Sequence, residues 1–320
     1  MVKYSFVLPA YKARFFREAI DSILNQTYSD FELIIVNDAS PQDLDSIVES
    51  YTDERIRYYK NEKNIGGHDL VAQWNKCLSY TQAEYVILAS DDDVYSPLYL
   101  EKMDELVCKY PDVNVFRPRI QIIDSSSSVL YQFGGLSEKV DQTEYMYNWM
   151  RGCVGSGIGH FIFNREALLD QGGFFSLPLA WGSDDVTVIN MAKHGLVFSP
   201  HVLFSFRKSD INITSRTNDV VTMRRKLQSY KIFEVWLEEI VDLLGNNTYG
   251  KNDSYDYIKR NYKDTFMPTL VVDMLRSSSL LAIFKNLEYY FQLKCVPCFK
   301  GCFWLLRELV GRIPIPFKRK

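Results

Sequence analysis

The sequence predicts an α/β fold in which a mostly parallel sheet is flanked by helices and followed by a helical C-terminal extension. Over the first 100 residues, short apolar runs alternate with segments whose apolar residues recur at helical spacing, which is the pattern of βαβ units. After residue 215 the pattern becomes helical throughout, so we expect a domain at 1–215 and an extension at 216–320.

The individual elements follow from apolar runs, helical spacing and turn residues. Strands are predicted at 4–8, 31–36, 56–59 and 85–89, and the helices between them at 15–24, 44–51 and 66–80. The middle of the chain predicts strands at 113–123, 129–131, 160–163 and 196–206, with a helix at 186–193. A long amphipathic helix is predicted at 223–244.

Charge is distributed unevenly along the chain. The 320 residues carry a net charge of −3, which argues against a chain-wide nucleic-acid binder. Residues 281–320 hold eight basic and two acidic side chains, a net charge of +6, which leaves −9 for the rest of the chain. This tail is also rich in Phe and Leu, and basic aromatic helices favour an anionic membrane surface. A helical cap with a solvated basic end is the alternative.

The sequence also bears on location. No apolar run approaches the length of a membrane span, and the first residues lack the apolar region of a signal peptide. Six cysteines are too few for a disulfide scaffold of this size. We therefore expect a cytoplasmic protein that is peripheral at the membrane face.

Polar clusters follow the first four predicted strands. They are Pro9–Ala10–Tyr11, Asn37–Asp38, Asn64–Gly67 and Asp91–Asp93. In a parallel sheet, the loops beyond the carboxyl ends of the strands meet at one edge, where ligands bind. We therefore expect these four loops to assemble a single site.

The three consecutive carboxylates Asp91, Asp92 and Asp93 are the sharpest local signal. Adjacent like charges repel unless a cation neutralises them, and Mg²⁺ or Mn²⁺ binds one or two carboxylates together with phosphate oxygens. The alternative is that these residues favour the N-terminus of the following helix. No P-loop signature is present, which disfavours a kinase or an ATPase.

Two further acidic positions are candidates for function. Asp38 could accept hydrogen bonds from a base or ribose, or it could form an ordinary Asx-turn. Asp184 and Asp185 follow Trp181 at a predicted helix start. This pair could include a general base, with Trp181 shaping an acceptor pocket, or it could cap the helix.

Five ordered motifs resemble glycosyltransferase family 2, the inverting enzymes of the GT-A fold. They are FVLPAY at 6–11, EAIDSILNQT at 18–27, FELIIVNDAS at 31–40, NIGG and WNKCL at 64–67 and 74–78, and YVILASDDDVY at 85–95. The resemblance covers about residues 3–215 and extends to bacterial polysaccharide-biosynthesis glycosyltransferases. It implies a GT-A sheet for the predicted α/β domain.

The resemblance also implies roles, position by position. Nucleotide-sugar contacts are implied for Pro9, Ala10, Tyr11, Asp38, Asn64, Gly67, Lys76, Asp91 and Arg207. A divalent ion, Mn²⁺ or Mg²⁺, is implied at Asp91, Asp92 and Asp93, and the register of the family's D-x-D-D pattern stays open because Ser90 stands at its first Asp. Asp185 matches the catalytic base, with Asp184 in place of Glu and Trp181 on the acceptor side.

The implied reaction is the transfer of a sugar, with inversion, from a nucleoside diphosphate sugar to a hydroxyl of a saccharide or lipid-linked saccharide. UDP is the family's common nucleotide, and cell-surface polysaccharide biosynthesis is the implied setting. A sugar nucleotidyltransferase is disfavoured because the loop at 9–14 has no glycine. A non-catalytic carbohydrate- or partner-binding protein on a degenerate transferase fold is disfavoured by the intact carboxylates.

Overall fold

A computed structural model describes residues 2–155, 157–210, 217–246 and 252–311. The chain forms two compact units, Met1–Ser209 and Asp210–Lys320. The predicted domain boundary near residue 215 falls within 211–216, outside the described residues. The first unit contains the sheet, and the described part of the second unit is built mainly from helices.

The first unit is organised around one sheet, with ten strands in the described residues. The strands are β1 (Tyr4–Ala10), β2 (Phe31–Asn37), β3 (Ile56–Lys60), β4 (Tyr85–Leu88), β5 (Val94–Tyr95), β6 (Val115–Ile123), β7 (Val129–Gln132), β8 (Lys139–Val140), β9 (Ile162–Asn164) and β10 (Leu196–Arg207). Their order is β3-β2-β1-β4-β9-β6-β10-β5, with β7 beside β6 and β8 beside β10. The longer pairings, β1 with β2 and β4, β2 with β3, and β6 with β10, are parallel.

Helices flank this sheet. They are α1 (Phe16–Leu24), α2 (Asp45–Glu49), α3 (Leu70–Leu78), α4 (Tyr99–Lys109), α5 (Gln142–Met150), α6 (Arg165–Asp170) and α7 (Ser183–Met191). In α1, Phe16, Ala19, Ile20 and Ile23 are buried, which is the spacing of one apolar helix face. This face joins the core formed with β1 and β2.

The inner strands are apolar because both of their faces are covered. Six of the seven residues of β1 are buried, as are six of the seven of β2. Phe6 makes edge-to-face contacts with Phe31 and Tyr95, at centroid distances of 5.8 and 5.1 Å. Such ring pairs stabilise a core beyond the area that they bury. The central sheet therefore gives the strand-end loops a rigid base.

The mostly parallel sheet with flanking helices confirms the predicted fold class. The structure differs locally after the acidic cluster, where the two-residue strand β5 precedes α4 and pairs with Phe204 and Ser205 of β10. The predicted strand at 160–163 begins later, at Ile162, because Gly159 and His160 lie in a turn. The first difference depends on a pairing between distant segments, which local sequence patterns do not report.

In the described part of the second unit, helices account for most residues. They are α8 (Val220–Asn246), α9 (Asp253–Asn261), α10 (Met267–Arg276), α11 (Leu280–Lys285), α12 (Leu287–Phe291) and α13 (Cys298–Val310). The carboxylate of Glu234 on α8 accepts hydrogen bonds from the main-chain nitrogens of Lys294 and Cys295, at 3.0 and 2.6 Å. Within the described ranges, every helix is too short or too polar to span a bilayer.

Candidate active site

The first, second and fourth strand-end loops meet at one edge of the sheet. Ala10 ends β1 beside Asn37, the last residue of β2, and its carbonyl accepts a hydrogen bond from the Asp38 main-chain nitrogen at 2.9 Å. The main-chain nitrogens of Tyr11 and Lys12 donate to Oδ2 of Asp91, at 2.9 and 2.7 Å. The loops predicted to form one site are therefore joined directly by hydrogen bonds.

Tyr11 offers the exposed surface of this edge. Its side chain is 42% exposed, whereas Ala10 is fully buried and Pro9 is half-buried within β1. The Tyr11 carbonyl accepts a hydrogen bond from Ser40 Oγ at 2.6 Å, which ties the first loop to the second. An exposed aromatic ring on an anchored backbone is suited to stacking against a planar ligand.

Asp38 organises the third loop from inside. Its carboxylate is 3% exposed and accepts hydrogen bonds from the main-chain nitrogens of Ile65 and Gly66, at 2.8 and 2.7 Å. The Asn64 side chain donates to the Asp38 carbonyl at 3.1 Å and accepts from the Gly67 nitrogen at 2.6 Å. A Cβ at Gly67 would lie 2.2 Å from Asn64 Oδ1, so a larger residue here would displace the Asn64 side chain from its hydrogen bond with the Gly67 nitrogen.

The three carboxylates of the acidic cluster are buried, and two of them point to the same partner while the third turns away. Lys12 Nζ lies 3.1 Å from Asp91 Oδ1 and 2.7 Å from Asp92 Oδ2. Asp93 turns away, and its carboxylate accepts hydrogen bonds from the Arg207 main-chain nitrogen at 2.8 Å and from Ser90 Oγ. Burial and the neighbouring Asp92 raise the pKa of Asp93 to about 7. Asp91 and Asp92 thus face one cation, and Asp93 faces the protein interior.

The donor chemistry at Asp91 and Asp92 fits the predicted divalent ion. Both carboxylates already converge on a positive charge, and Mg²⁺ and Mn²⁺ are commonly held by one or two carboxylates with phosphate oxygens and water. Within the part of the chain that the structure describes, no group of three or more His, Cys, Asp or Glu side chains is arranged to hold a metal ion. The residues present fit a two-carboxylate site that a diphosphate would complete.

Arg207 supports the acidic cluster from behind. Its side chain is fully buried, and its guanidinium donates to the Asp92 carbonyl at 2.8 Å and to the Asp124 carbonyl at 3.2 Å. It also forms an ion pair of 2.7 Å with Glu18 and lies 4.4 Å from the centroid of the Phe15 ring. The structure therefore places Arg207 inside the fold, and its contact with a diphosphate stays a prediction.

Asp184 and Asp185 lie in the first turn of α7, as the sequence predicts. The preceding turn is unusual, because Leu179 and Ala180 have positive φ values of 61° and 53°, and Gly182 follows at 90°. Left-handed backbone at non-glycine residues is strained and is found at functional sites more often than elsewhere. Trp181 is half-buried between these residues.

Trp149, on α5, holds the carboxylate of Asp185. The indole Nε1 donates to Asp185 Oδ1 at 2.7 Å, which is the length of a charge-assisted hydrogen bond. Sequence reasoning missed this residue, because 36 positions separate it from Asp185 and no local pattern links the two. An indole donor fixes the orientation of a carboxylate without adding a second titrating group.

A buried cation lies within electrostatic reach of a second aromatic residue of α5. Arg117 is 1% exposed and donates to the Gly155 carbonyl at 3.2 Å. Tyr145, also on α5, is buried within electrostatic reach of Arg117, Asp184 and Asp185, and its burial raises its pKa to about 12. Tyr145 is therefore a neutral phenol within electrostatic reach of both the Arg117 guanidinium and the Asp184–Asp185 pair.

The helix α3 connects the third loop to the segment that precedes Trp181. The Asn75 side chain donates to the Phe174 carbonyl at 3.2 Å and accepts from the Phe174 nitrogen at 2.9 Å. Lys76 lies half-buried in the last turn of this helix, about 9 Å along the axis from its start. The Asn64–Gly67 loop precedes the N-terminal end of α3, so Lys76 lies towards the opposite end of the helix from this loop.

The fold and the family match together place the chain in the class of GT-A glycosyltransferases. The model of the family described as "Glycosyl transferase family 2" matches residues 5–172, more than half of the chain. The chain belongs to glycosyltransferase family 2.

Similar proteins agree with this assignment. An uncharacterized glycosyltransferase of Rickettsia typhi is 25% identical over 266 residues, covering 80% of each chain. An uncharacterized glycosyltransferase of Methanocaldococcus jannaschii is 31% identical over 123 residues, covering 38% of this chain and 41% of its own. The crystal structure of S. aureus TarS 1–349 in complex with UDP-GlcNAc matches with a TM-score of 0.60 at 15% identity, covering 97% of this chain and 80% of that one. This last similarity concerns the fold.

Proposed function

We propose that this glycosyltransferase moves a sugar from a nucleoside diphosphate sugar, of which a UDP-sugar is the leading candidate, to a hydroxyl of a saccharide or lipid-linked saccharide, with inversion. The observation that carries the proposal is the direct joining of the strand-end loops by Asp38 and Asp91. The UDP-GlcNAc bound to TarS, which shares the fold, supports the choice of donor. Cell-surface polysaccharide biosynthesis is the proposed setting.

Asp185 is the proposed general base. Its carboxylate accepts the proton of the acceptor hydroxyl while that oxygen attacks the anomeric carbon from the face opposite the diphosphate. The bond between the anomeric carbon and the diphosphate oxygen breaks, so a single displacement inverts the configuration. Trp149 orients the carboxylate throughout, through the 2.7 Å hydrogen bond to Oδ1.

The acidic cluster is proposed to act on the diphosphate leaving group. Asp91 and Asp92 would hold a divalent cation, Mn²⁺ or Mg²⁺, which when bound neutralises negative charge on the departing nucleoside diphosphate. The main-chain nitrogens of Tyr11 and Lys12 fix Asp91 in position for this role. Trp181 is the proposed acceptor-side wall.

The variant Asp185→Asn tests the base. A general base contributes roughly 10²- to 10⁴-fold, so UDP release from a panel of UDP-sugars with a cell-envelope saccharide acceptor should fall by at least about 100-fold. UDP binding, measured by calorimetry, should stay within about twofold. Asp112→Asn, at an exposed turn before β6, is the matched control. Equal release rates for Asp185→Asn and the wild type would refute the assignment.

The UDP-release assay, together with an assay for pyrophosphate, separates the alternative functions. A non-catalytic binding protein would bind UDP-sugars but release no UDP in the wild type. A sugar nucleotidyltransferase would instead form pyrophosphate from a nucleoside triphosphate and a sugar 1-phosphate. Either result would overturn the proposed transfer reaction.

We also propose that residues 281–320 bind an anionic membrane surface at its cytoplasmic face. In α13, Phe299, Phe303 and Leu306 are 88%, 60% and 60% exposed, and their spacing places them on one helix face. Exposed Lys300 and Arg307 belong to the same helix. An exposed apolar face combined with basic residues is suited to the interface of an anionic bilayer.

Flotation with liposomes tests the membrane proposal. The wild type should float with vesicles that contain phosphatidylglycerol and should stay at the bottom with pure phosphatidylcholine. The double variant Phe299→Ser with Phe303→Ser should lose flotation. Val221→Ser with Leu243→Ser removes two residues of α8 that are 64% and 55% exposed, and it is the matched control. Unchanged flotation of the Phe299 and Phe303 variant would contradict the proposal.

A further inference from the structure

The Lys12 ammonium contacts the two carboxylates that are proposed to bind the divalent ion. Its ammonium lies 2.7 Å from Asp92 Oδ2 and 3.1 Å from Asp91 Oδ1, while its main-chain nitrogen donates to Asp91 Oδ2. The residue is therefore held to the acidic cluster at both its backbone and its side-chain end. No motif in the sequence pointed to it.

The ion pairs of Lys12 differ from ordinary surface pairs. The Asp91 and Asp92 side chains are 6% and 7% exposed, so their charges are poorly screened by water. Burial alone lowers the pKa of Lys12, but the two carboxylates outweigh this and raise it. Lys12 is thus a permanent cation in this position.

An ammonium and a divalent ion cannot share these oxygens. Mg²⁺ binds carboxylate oxygens at about 2.0–2.1 Å, which would bring two cations into contact at Asp91 and Asp92. The Lys12 side chain is 31% exposed, so part of it is in contact with solvent. A nucleoside diphosphate arriving at the cluster would offer it new anionic partners.

We propose that Lys12 is a built-in counter-cation that keeps the divalent-ion site closed in the absence of ligand and moves to the diphosphate when the donor binds. This inference rests on the proposed nucleoside diphosphate donor. Metal and nucleotide binding then become coupled, because the diphosphate draws away the cation that competes with the metal.

Binding of Mn²⁺ tests this role without measuring transfer. Titration calorimetry would give the Mn²⁺ affinity of the wild type and of Lys12→Met, each with and without UDP. We expect Lys12→Met to bind Mn²⁺ at least about tenfold more tightly than the wild type without UDP, because a competing charge is removed. In the wild type, UDP should tighten Mn²⁺ binding by a similar factor, and this coupling should shrink in Lys12→Met.

Three further variants make the result specific. Lys60→Met removes an ammonium from an exposed pair with Asp45 and should leave Mn²⁺ binding within about twofold. Lys12→Gln removes the charge but keeps a hydrogen-bond donor. It should show the same gain in Mn²⁺ affinity, and it replaces Lys12→Met if that variant does not fold. Adding Asp92→Asn to Lys12→Met should abolish the gain, which locates the ion at the acidic cluster.

The inference is overturned if Lys12→Met and Lys12→Gln bind Mn²⁺ as the wild type does, or if Lys60→Met gains as much. Failure of the proposed transfer reaction gives a different pattern. In that case UDP release is absent from the wild type, while the gain in Mn²⁺ affinity of Lys12→Met persists.

Discussion

Replacing Arg207 by methionine removes a guanidinium that is fully buried beneath the acidic cluster. Methionine keeps much of the length and apolar character of the stem but none of the donors. The Asp92 carbonyl, which accepts from Nε at 2.8 Å, would be left without this buried partner. The Asp124 carbonyl and Ser127 Oγ would each lose a part-buried hydrogen bond from the guanidinium, at 3.2 and 2.9 Å, and these losses cost less.

The cost follows from these contacts. An orphaned buried carbonyl costs about 1–3 kcal/mol, and loss of the cation–π contact with Phe15 costs about 0.5–2 kcal/mol. Glu18 is 43% exposed, so water can replace its ion pair and its loss costs little. We expect Arg207→Met to lower the free energy of unfolding of the first unit by roughly 2–5 kcal/mol.

Urea unfolding and UDP calorimetry together measure this prediction. Lys208→Met, an exposed neighbour, is the control and should change stability by less than about 0.5 kcal/mol. Arg207→Lys should be intermediate, because an ammonium cannot reach all of the guanidinium's partners. The reasoning is refuted if Arg207→Met loses less than about 1 kcal/mol of stability while UDP binding weakens tenfold or more. That outcome would make the guanidinium a ligand of the diphosphate.

Three further variants probe separate parts of the site. Trp149→Phe removes the donor to Asp185 Oδ1, worth about 1.5–3 kcal/mol, so the acid limb of the pH–rate profile should move up by at least about one pH unit. Gly67→Ala places a Cβ 2.2 Å from Asn64 Oδ1, and UDP binding measured by calorimetry should weaken by about tenfold or more. Burial lowers the pKa of His160 well below 6.5, so only the unfolded chain takes up this proton as the pH falls. Urea unfolding of His160→Gln should therefore lose less stability below pH 6.5 than that of the wild type, by up to about 1.4 kcal/mol per pH unit.

Each of these variants has its own contrary outcome. If the acid limb of the pH–rate profile does not shift in Trp149→Phe, the indole does not influence the catalytic base. Unchanged UDP affinity in Gly67→Ala would mean that the third loop does not contribute to the nucleotide site. Gly134→Ala is the control, because its added Cβ would make an ordinary 3.4 Å contact. Parallel stability profiles for His160→Gln and the wild type would mean that the buried imidazole titrates alike in both states.

Much of the first unit could be predicted from the sequence because its signals are local. The strands β1, β2 and β4 are mostly apolar runs, and each ends at a polar loop. Parallel strands place such loops at one edge, so the meeting of the Tyr11, Asp38 and Asp91 loops followed from strand order alone. The placing of Asp184 and Asp185 in the first turn of α7 was likewise a local pattern.

The partners of the site residues could not be predicted in the same way. Lys12 and Asp92 are 80 positions apart, and the Arg207 nitrogen and Asp93 are 114 apart. The resemblance to the family implied a diphosphate contact for Arg207, which stays a prediction. Only the structure shows that its guanidinium is buried and donates to the Asp92 and Asp124 carbonyls. Trp149 carried no motif at all, and only the packing of α5 beside α7 brings it to Asp185.

The sequence by itself determined the alternation of strands and helices, the family and the positions of the carboxylates, because apolar periodicity and turn chemistry act between neighbouring residues. The tertiary structure decided which partner each carboxylate of the acidic cluster faces. Asp91 and Asp92 share Lys12, whereas Asp93 is bound to the backbone of Arg207. A buried charge that lacks a partner costs free energy, so each carboxylate needs a partner inside the fold. Which residue becomes that partner depends on how distant segments pack, and neighbouring residues in the sequence do not reveal it.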